Sequence, residues 1–443
     1  MKNNLLKQFF LCVLIVLGQN TVSAQYTLTD INHIIGYGQS LSLGAVDTCV
    51  ISTSQKYNSL MFSKELRTYD YTTTDFSSVT FVPLIEQHWV NHLNYAESPY
   101  SGMSEMLIES LIKDGQFNQT NNAFFFHAAG KGGTSITGLN KGTATLRTFD
   151  YVIQGINRAK TLATGQGKKY KIPCFTWIHG EQDLTTYMPP AQYVSLLKNL
   201  QLDIETEAKT ASGQSEPVPC VLSQTASFNR YHILRSDTYA DSLPNYKISD
   251  AVYHLALEQP AKFIFATTMY PFIYGQDNVH LTAESSKLVG AYFGYAIKKG
   301  VIDGEIMLPV HPIQYIQAGN ELTVKFYVPV KPLVLDTKQV RFIDNYGFNI
   351  FHGSTEIVIQ KVELTGEDEI KFTCAQTIQS GDILTYAINA YGNPLSGGFT
   401  TGALKGARGN LRDSRGETIT FTIGNTIHKL HNWCPVFKEI IKL

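Results

Sequence analysis

The sequence predicts an α/β protein: a three-layer α/β/α domain with a mostly parallel sheet, followed by a C-terminal antiparallel β-sandwich. Three observations lead there. From residue 25 to about 303, short apolar runs alternate with segments of helical spacing, the pattern of a parallel sheet covered on both faces. After residue 305, polar and apolar residues alternate with period two between turn residues, and no helical stripe interrupts them, as in a sandwich. The 443 residues also exceed what one ordinary core holds.

Residues 1–24 stand apart. Lys2 and Lys7 flank an apolar run, Phe9 to Leu17, and Val22-Ser23-Ala24 supplies small residues before a cut. This is the pattern of a cleaved export signal, so the expected units are 1–24 leader, 25–303 α/β domain and 304–443 β-sandwich. The expected location is periplasmic, cell-surface or secreted. No later window is long and uncharged enough for a membrane helix.

In the first domain the strands are read at Ile31–Ile35, Ala123–Ala129, Ile172–Ile178, Val218–Leu222 and Phe263–Thr268. Helices are read over Phe149–Ala163, from Pro190 through Ile204, and from Ala283 to Lys299 between a Thr282 cap and Gly300. In the second domain the alternating runs are Glu321–Val328, Gln339–Ile343, Glu356–Leu364, Glu369–Cys374, Ile383–Ile388 and Glu417–Ile423.

Composition excludes several functions. Without the leader, 34 basic residues stand against 37 acidic ones, and no basic cluster recommends nucleic acid as a partner. Five cysteines then remain, widely spaced and without a CxxC pair, so no cysteine metal knuckle is expected. Their odd number leaves at least one free thiol. Cys174 and Cys220 lie in strand-like runs and read as core, as do His33 and His127.

Four stretches carry polar groups to strand ends. In 36-GYGQSLSLG-44, Ser40 follows the first strand on a glycine-rich loop. A tight turn explains the glycines; so does a hydroxyl held out at the carboxyl edge, where ligands bind in open α/β sheets. The stretch is not G-x-S-x-G. The loop 130-GKGGTSI-136 offers backbone N–H groups at the same edge and lacks phosphate-loop spacing. The loop 177-WIHGEQD-183 adds His179. In 275-GQDNVHLTAES-285, Asp277 precedes His280 by three residues, a spacing that lets a carboxylate orient an imidazole. Asp277 could equally cap a turn. Glu181 and Asp183 read as groups that hold loops, because glycoside hydrolysis needs carboxylates on two sides of a sugar.

Taken in order, these stretches resemble the blocks of the SGNH (GDSL-like) hydrolase superfamily, in its carbohydrate acetylesterase and sialate O-acetylesterase-like branch. Gly38-Gln39-Ser40 resembles G-Q-S, Gly132-Gly133-Thr134 resembles G-G-T/S, Trp177–Asp183 resembles W-x-Q-G-E-S-D, and Asp277–His280 resembles D-x-x-H. The resemblance covers residues 30–300 and implies a flavodoxin-like SGNH-hydrolase domain with Ser40 as nucleophile, His280 as base and acid, and Asp277 as its orienting group. It implies an oxyanion hole from the N–H groups of Ser40 and Gly133 with a side chain at His179, supported by Gln39, Gly132 and Glu181. His179 stands where the family has Asn or Gln. The implied activity is removal of O-acetyl groups from a carbohydrate without a cofactor. A carbohydrate-binding protein on a relic scaffold and an esterase for lipid or aryl esters are the alternatives. Trp89, His92, Tyr95 and Tyr100, in the insertion 86–107, either wall a sugar site or pack a local core. The basic loop 405–416 reads as interdomain or solvated.

Overall fold

A computed structural model describes residues 26–45, 49–68, 76–89, 94–143, 146–226, 246–388, 402–404 and 406–443. The expected leader and His92 lie outside them. Strands β1 (Ile31–Gly38), β2 (Ser59–Phe62), β3 (Phe81–Pro83), β4 (Ala123–Ala128), β5 (Tyr170–Ile178), β6 (Cys220–Gln224) and β7 (Phe263–Thr268) form one sheet in the order β3-β2-β4-β1-β5-β6-β7. Only β2–β3 pairs antiparallel; the other pairs are parallel. Without the β2–β3 edge ribbon, the order is that of a flavodoxin-like sheet, whose switch point lies beside β1.

The first helix, α1 (Pro99–Lys113), is followed by the short α2 (Ile136–Leu139), α3 (Thr148–Gly165), the short α4 (Glu181–Thr185), α5 (Pro190–Ser212), α6 (Lys247–Glu258) and α7 (Ala283–Ala296). Helices α1 and α7 pack together on one face, and α3, α5 and α6 form a row on the other. Strand β4 serves both faces by alternation: Phe126 meets Tyr100 of α1, while His127 presses on Gly155 of α3. Every residue of β1 and β4 is buried, as a strand covered on both faces requires. His33 and His127 share a buried hydrogen bond of 2.7 Å, and Cys174 and Cys220 sit unpaired in the core.

The structure adds helices to the reading of this half, α1 among them, and shortens another. Part of the insertion 86–107 is helical: Ser98 caps α1 by accepting from the Tyr100 N–H, and Pro99 occupies its first turn. Helix α7 ends at Ala296, not Lys299, and the chain continues as a wider π turn, Ile297–Ile302, that includes Gly300. There the buried Lys298 pairs with Asp114 and Asp303 at 2.8 and 2.7 Å.

The second half holds two four-stranded antiparallel sheets. One is ordered β12 (Thr355–Ile357), β11 (Phe348–His352), β15 (Ile383–Tyr386), β19 (Phe437–Ile440); the other β13 (Ile359–Leu364), β14 (Glu369–Cys374), β9 (Glu321–Tyr327), β8 (His311–Ala318). Burial alternates along β9 and β14, so their inner faces build the sandwich core. Two small ribbons pair β10 (Val334–Leu335) with β16 (Leu411–Arg412) and β17 (Thr420–Ile423) with β18 (Thr426–Lys429). The run Gln339–Ile343 forms no strand. Asp336 accepts from the N–H groups of Lys338 and Gln339 and turns the chain instead. Strand β8 escaped the sequence reading because Pro312 breaks the pattern; it lies at a sheet edge, beside a bulge, where proline is tolerated.

The halves meet through buried polar contacts. The Gln224 amide donates to the Val436 carbonyl (2.7 Å) and accepts its N–H (2.8 Å). Tyr270 donates to the Cys434 carbonyl at 2.8 Å. In the basic loop, Arg408, Arg412 and Arg415 are buried, and Arg415 lies over the rings of Tyr292 and Tyr295. The described residues of that loop, 406–416, are interdomain and not solvated.

Candidate active site

The Ser40 turn grows out of β1. Gly38 has φ +143°, and a Cβ there would stand 2.3 Å from the Ile178 carbonyl of the neighbouring strand; only glycine ends the strand this close to β5. The chain then folds into a short 3-10 turn, Ser40–Leu43. Ala45 N–H closes onto the Ser40 carbonyl (3.0 Å), and the Ser42 N–H and hydroxyl both reach the Gln39 carbonyl (2.9 and 2.6 Å). Ser40 is 6% exposed. Behind the turn lies Arg67, fully buried. Its Nε donates to the Leu43 carbonyl at 2.6 Å, and its other nitrogens reach the carbonyl of Ala96 and the carboxylates of Glu65 and Glu86.

Asp277 and His280 come from the loop between β7 and α7. Thr282 N–H on the Ile273 carbonyl (3.1 Å) and Gly275 N–H on the His280 carbonyl (2.7 Å) close its neck. One carboxylate oxygen of Asp277 accepts the N–H groups of Val279 and His280, each at 2.9 Å, and the other lies 2.5 Å from His280 Nδ1. His280 Nε2 lies 2.7 Å from Ser40 Oγ. Burial disfavours the Asp277 anion, but the bonds from His280 and the two amides outweigh it and hold the carboxyl well below its usual range. An ionised Asp277 accepts only, so the imidazole proton sits on Nδ1 and Nε2 accepts the serine hydroxyl. Ser40, His280 and Asp277 thus form one hydrogen-bonded chain at the carboxyl edge of the sheet.

The loop after β4 crosses the end of β1, with Lys131 N–H on the Gly38 carbonyl at 3.0 Å. At Gly132 there is no room for a side chain: a Cβ would lie 2.3 Å from the Tyr95 hydroxyl and 3.6 Å from Ser40 Cβ. Gly133 follows at φ +62° with open space around it. The structure therefore brings Gly132 and the Ser40 turn together.

The third block braces this arrangement from behind. His179 is buried between Trp177 and Tyr193. Burial pushes its pKa down to about 3, against a smaller opposing effect of the Thr134 carbonyl, so the ring is neutral and carries one N–H. Nε2 lies 2.9 Å from the Thr134 carbonyl, which can only accept, and Nδ1 lies 3.0 Å from the Tyr193 hydroxyl. The proton is therefore on Nε2 and is already used. The sequence expectation gave His179 an oxyanion; the geometry gives it the Thr134 carbonyl, two residues beyond Gly132. Glu181 accepts the Thr225 hydroxyl at 2.6 Å, Asp183 accepts the Ile136 N–H at 3.0 Å, and Gln39 accepts the Gln182 N–H at 3.3 Å. Each residue ties one loop of the edge to another.

The aromatic candidates separate. Tyr100 lies in α1, its hydroxyl filling the place of a Cβ at Gly36 inside the core. Trp89 is buried under Tyr95, ring to edge at 5.2 Å. Tyr95 alone is seen to reach the Ser40 turn. Sequence reasoning missed Arg67 and Tyr193, and neither belongs to a motif that could have signalled them. Among the described residues, no cluster of three or more His, Cys, Asp or Glu could hold a metal ion, and no helix is long and apolar enough to cross a membrane.

Comparisons place this architecture among solved structures. A carbohydrate acetylesterase from Xanthomonas citri superposes with a TM-score of 0.55 at 11% identity, over 92% of this chain and 80% of its own. The two share a fold. A carbohydrate acetylesterase from Sinorhizobium meliloti matches 60% of this chain and 98% of its own at 14% identity with a TM-score of 0.32. NanS matches 61% and 98% at 11% identity with a TM-score of 0.40. No family model matches the sequence, and a search of curated proteins finds no match.

Proposed function

We propose that the protein is an exported serine esterase that removes O-acetyl groups from a carbohydrate, with residues 1–24 as its leader, 25–303 as the catalytic domain and 304–443 as an accessory sandwich. One observation carries the reading: Ser40 Oγ, the His280 ring and the Asp277 carboxylate stand in line at 2.7 and 2.5 Å, at the carboxyl edge of a parallel sheet. A structural serine has no use for an imidazole oriented by a carboxylate.

In this mechanism His280 Nε2 takes the Ser40 proton as Oγ attacks the ester carbonyl. Asp277 keeps the proton on Nδ1 and stabilises the imidazolium. The N–H groups of Ser40 and of Gly132 or Gly133 face the oxygen that gains charge. His280 then protonates the departing sugar oxygen, leaving acetate on Ser40. Water, deprotonated by His280, attacks the acyl group, and acetate leaves as Ser40 regains its proton. The acetyl group and the sugar class rest on the sequence resemblance and on the fold shared with the Xanthomonas enzyme.

The test is acetate release from acetylated polysaccharides, acetylated sialic acids and a small aryl acetate, with Ser40→Ala as control. Release from one carbohydrate class, lost in the variant, supports the reading and nominates the substrate. No release from any would remove it and bring forward a carbohydrate-binding protein.

A further inference from the structure

The one N–H of His179 is committed to the Thr134 carbonyl, so the side-chain donor expected from that position is missing from the oxyanion site. Another polar hydrogen stands nearby. The Tyr95 hydroxyl and Ser40 Cβ lie on the same side of Gly132, at 2.3 and 3.6 Å from the point a Cβ would occupy. One glycine thus makes room for both the phenol and the nucleophile.

The position of Tyr95 relative to Ser40 is fixed by backbone. Residue 95 pairs antiparallel with Ala45, whose N–H closes the Ser40 turn. Ala96 N–H bonds the Gly44 carbonyl at 3.0 Å. Arg67 spans the same two segments, donating to Leu43 on one side and Ala96 on the other. The ring rests edge-on against the buried Trp89. Burial raises the phenol pKa above its ordinary value, only partly countered by Arg67, so the hydroxyl keeps its proton at neutral pH. Preorganisation of this kind distinguishes a transition-state donor from a flexible surface contact.

We propose that Tyr95 is a catalytic residue whose hydroxyl donates a hydrogen bond to the ester oxygen that becomes the oxyanion, in the place that His179 leaves open. The inference rests on the esterase reading above. It separates two roles for one residue. An oxyanion donor acts on every ester, whatever its alcohol; a sugar contact acts only on the carbohydrate.

The experiment compares wild type and Tyr95→Phe on the acetylated carbohydrate and on a small aryl acetate, with thermal midpoints measured alongside. The variant keeps the ring and its packing on Trp89. The expected result is a fall in kcat of about 10²-fold on both esters, with KM and thermal midpoint little changed. An unchanged kcat overturns the inference. So does an effect confined to the carbohydrate, or one that appears in KM alone, because either would make Tyr95 a sugar contact. Failure of the wild type itself to hydrolyse any ester is a different result and removes the esterase reading.

Discussion

The two arms of the site are built differently. Ser40 belongs to the sheet: its turn is continuous with the buried β1, bonded to β4 and β5 loops, and backed by the buried Arg67. Asp277 and His280 belong to a loop whose side chains are 47% and 27% exposed. That loop is reached through Met269–Phe272, and the second domain holds those residues through Cys434 and Ala403. Ser40 is placed by the fold of one domain and His280 by contact between two.

The largest effects test that contrast at the reacting atoms. Ser40→Ala and His280→Ala should each lower kcat by about 10⁴-fold or more with thermal midpoints unchanged, and the double variant should be no slower than either alone, because the two act as a unit. Rate measurements with active-site-independent protein quantitation check this. Asp277→Asn keeps the shape of the carboxylate while removing the charge that fixes the His280 tautomer. A loss of about 10³–10⁴-fold in kcat is expected, measured on the small aryl acetate so that sugar binding does not enter.

At the next level, Tyr270→Phe removes the hydroxyl that bonds the Cys434 carbonyl and leaves that buried acceptor unpaired. A loss of about 1–3 kcal/mol of stability is expected, and kcat should fall severalfold while the protein stays folded at ambient temperature. Denaturant unfolding and rate assays on one preparation read both quantities. A loss of stability with kcat intact would show that the base arm does not depend on the second domain.

The smallest effect concerns pH. Burial raises the Asp183 carboxyl to about 7, opposed by the Ile136 N–H and assisted by Glu181. A raised carboxyl favours the folded state fully below the unfolded value of about 4, and this stabilisation is lost as pH rises toward 7. Asp183→Asn lacks that slope. The thermal midpoint of the variant minus that of wild type should therefore rise between pH 4 and 7 and level off above; a flat difference would mean that the carboxyl is not buried as described.

What the sequence disclosed follows from the same physics. Gly38, Ser40, Gly132, Asp277 and His280 were legible because a sharp turn, a close approach and a short Asp-to-His reach each restrict local residue types. The order of β1, β4, β5, β6, β7, α3, α5 and α7 was legible from periodicity; β2 and β3, of four and three residues, and α6 were not read. Arg67 and Tyr193 were not, because their roles arise from segments that only the fold brings together; Tyr95 was visible only as one of four aromatics that wall a sugar site or pack a core. His179 shows the limit within a motif: its position was visible, but the partners of its two nitrogens depend on Thr134 and Tyr193. Helix α1 carried a readable start, Ser98-Pro99, hidden within a stretch read for its aromatics.

The central claim is that Ser40 is the nucleophile and that His280 activates it. Treatment with a serine-directed phosphonofluoridate, followed by intact and peptide mass measurement, tests this without knowledge of the natural substrate. The account expects a single adduct on the peptide containing Ser40 in the wild type, none in Ser40→Ala, and at least a hundredfold slower labelling in His280→Ala, about the scale of general-base activation. Labelling elsewhere in the chain, or labelling of Ser40 at the same rate without His280, would contradict it.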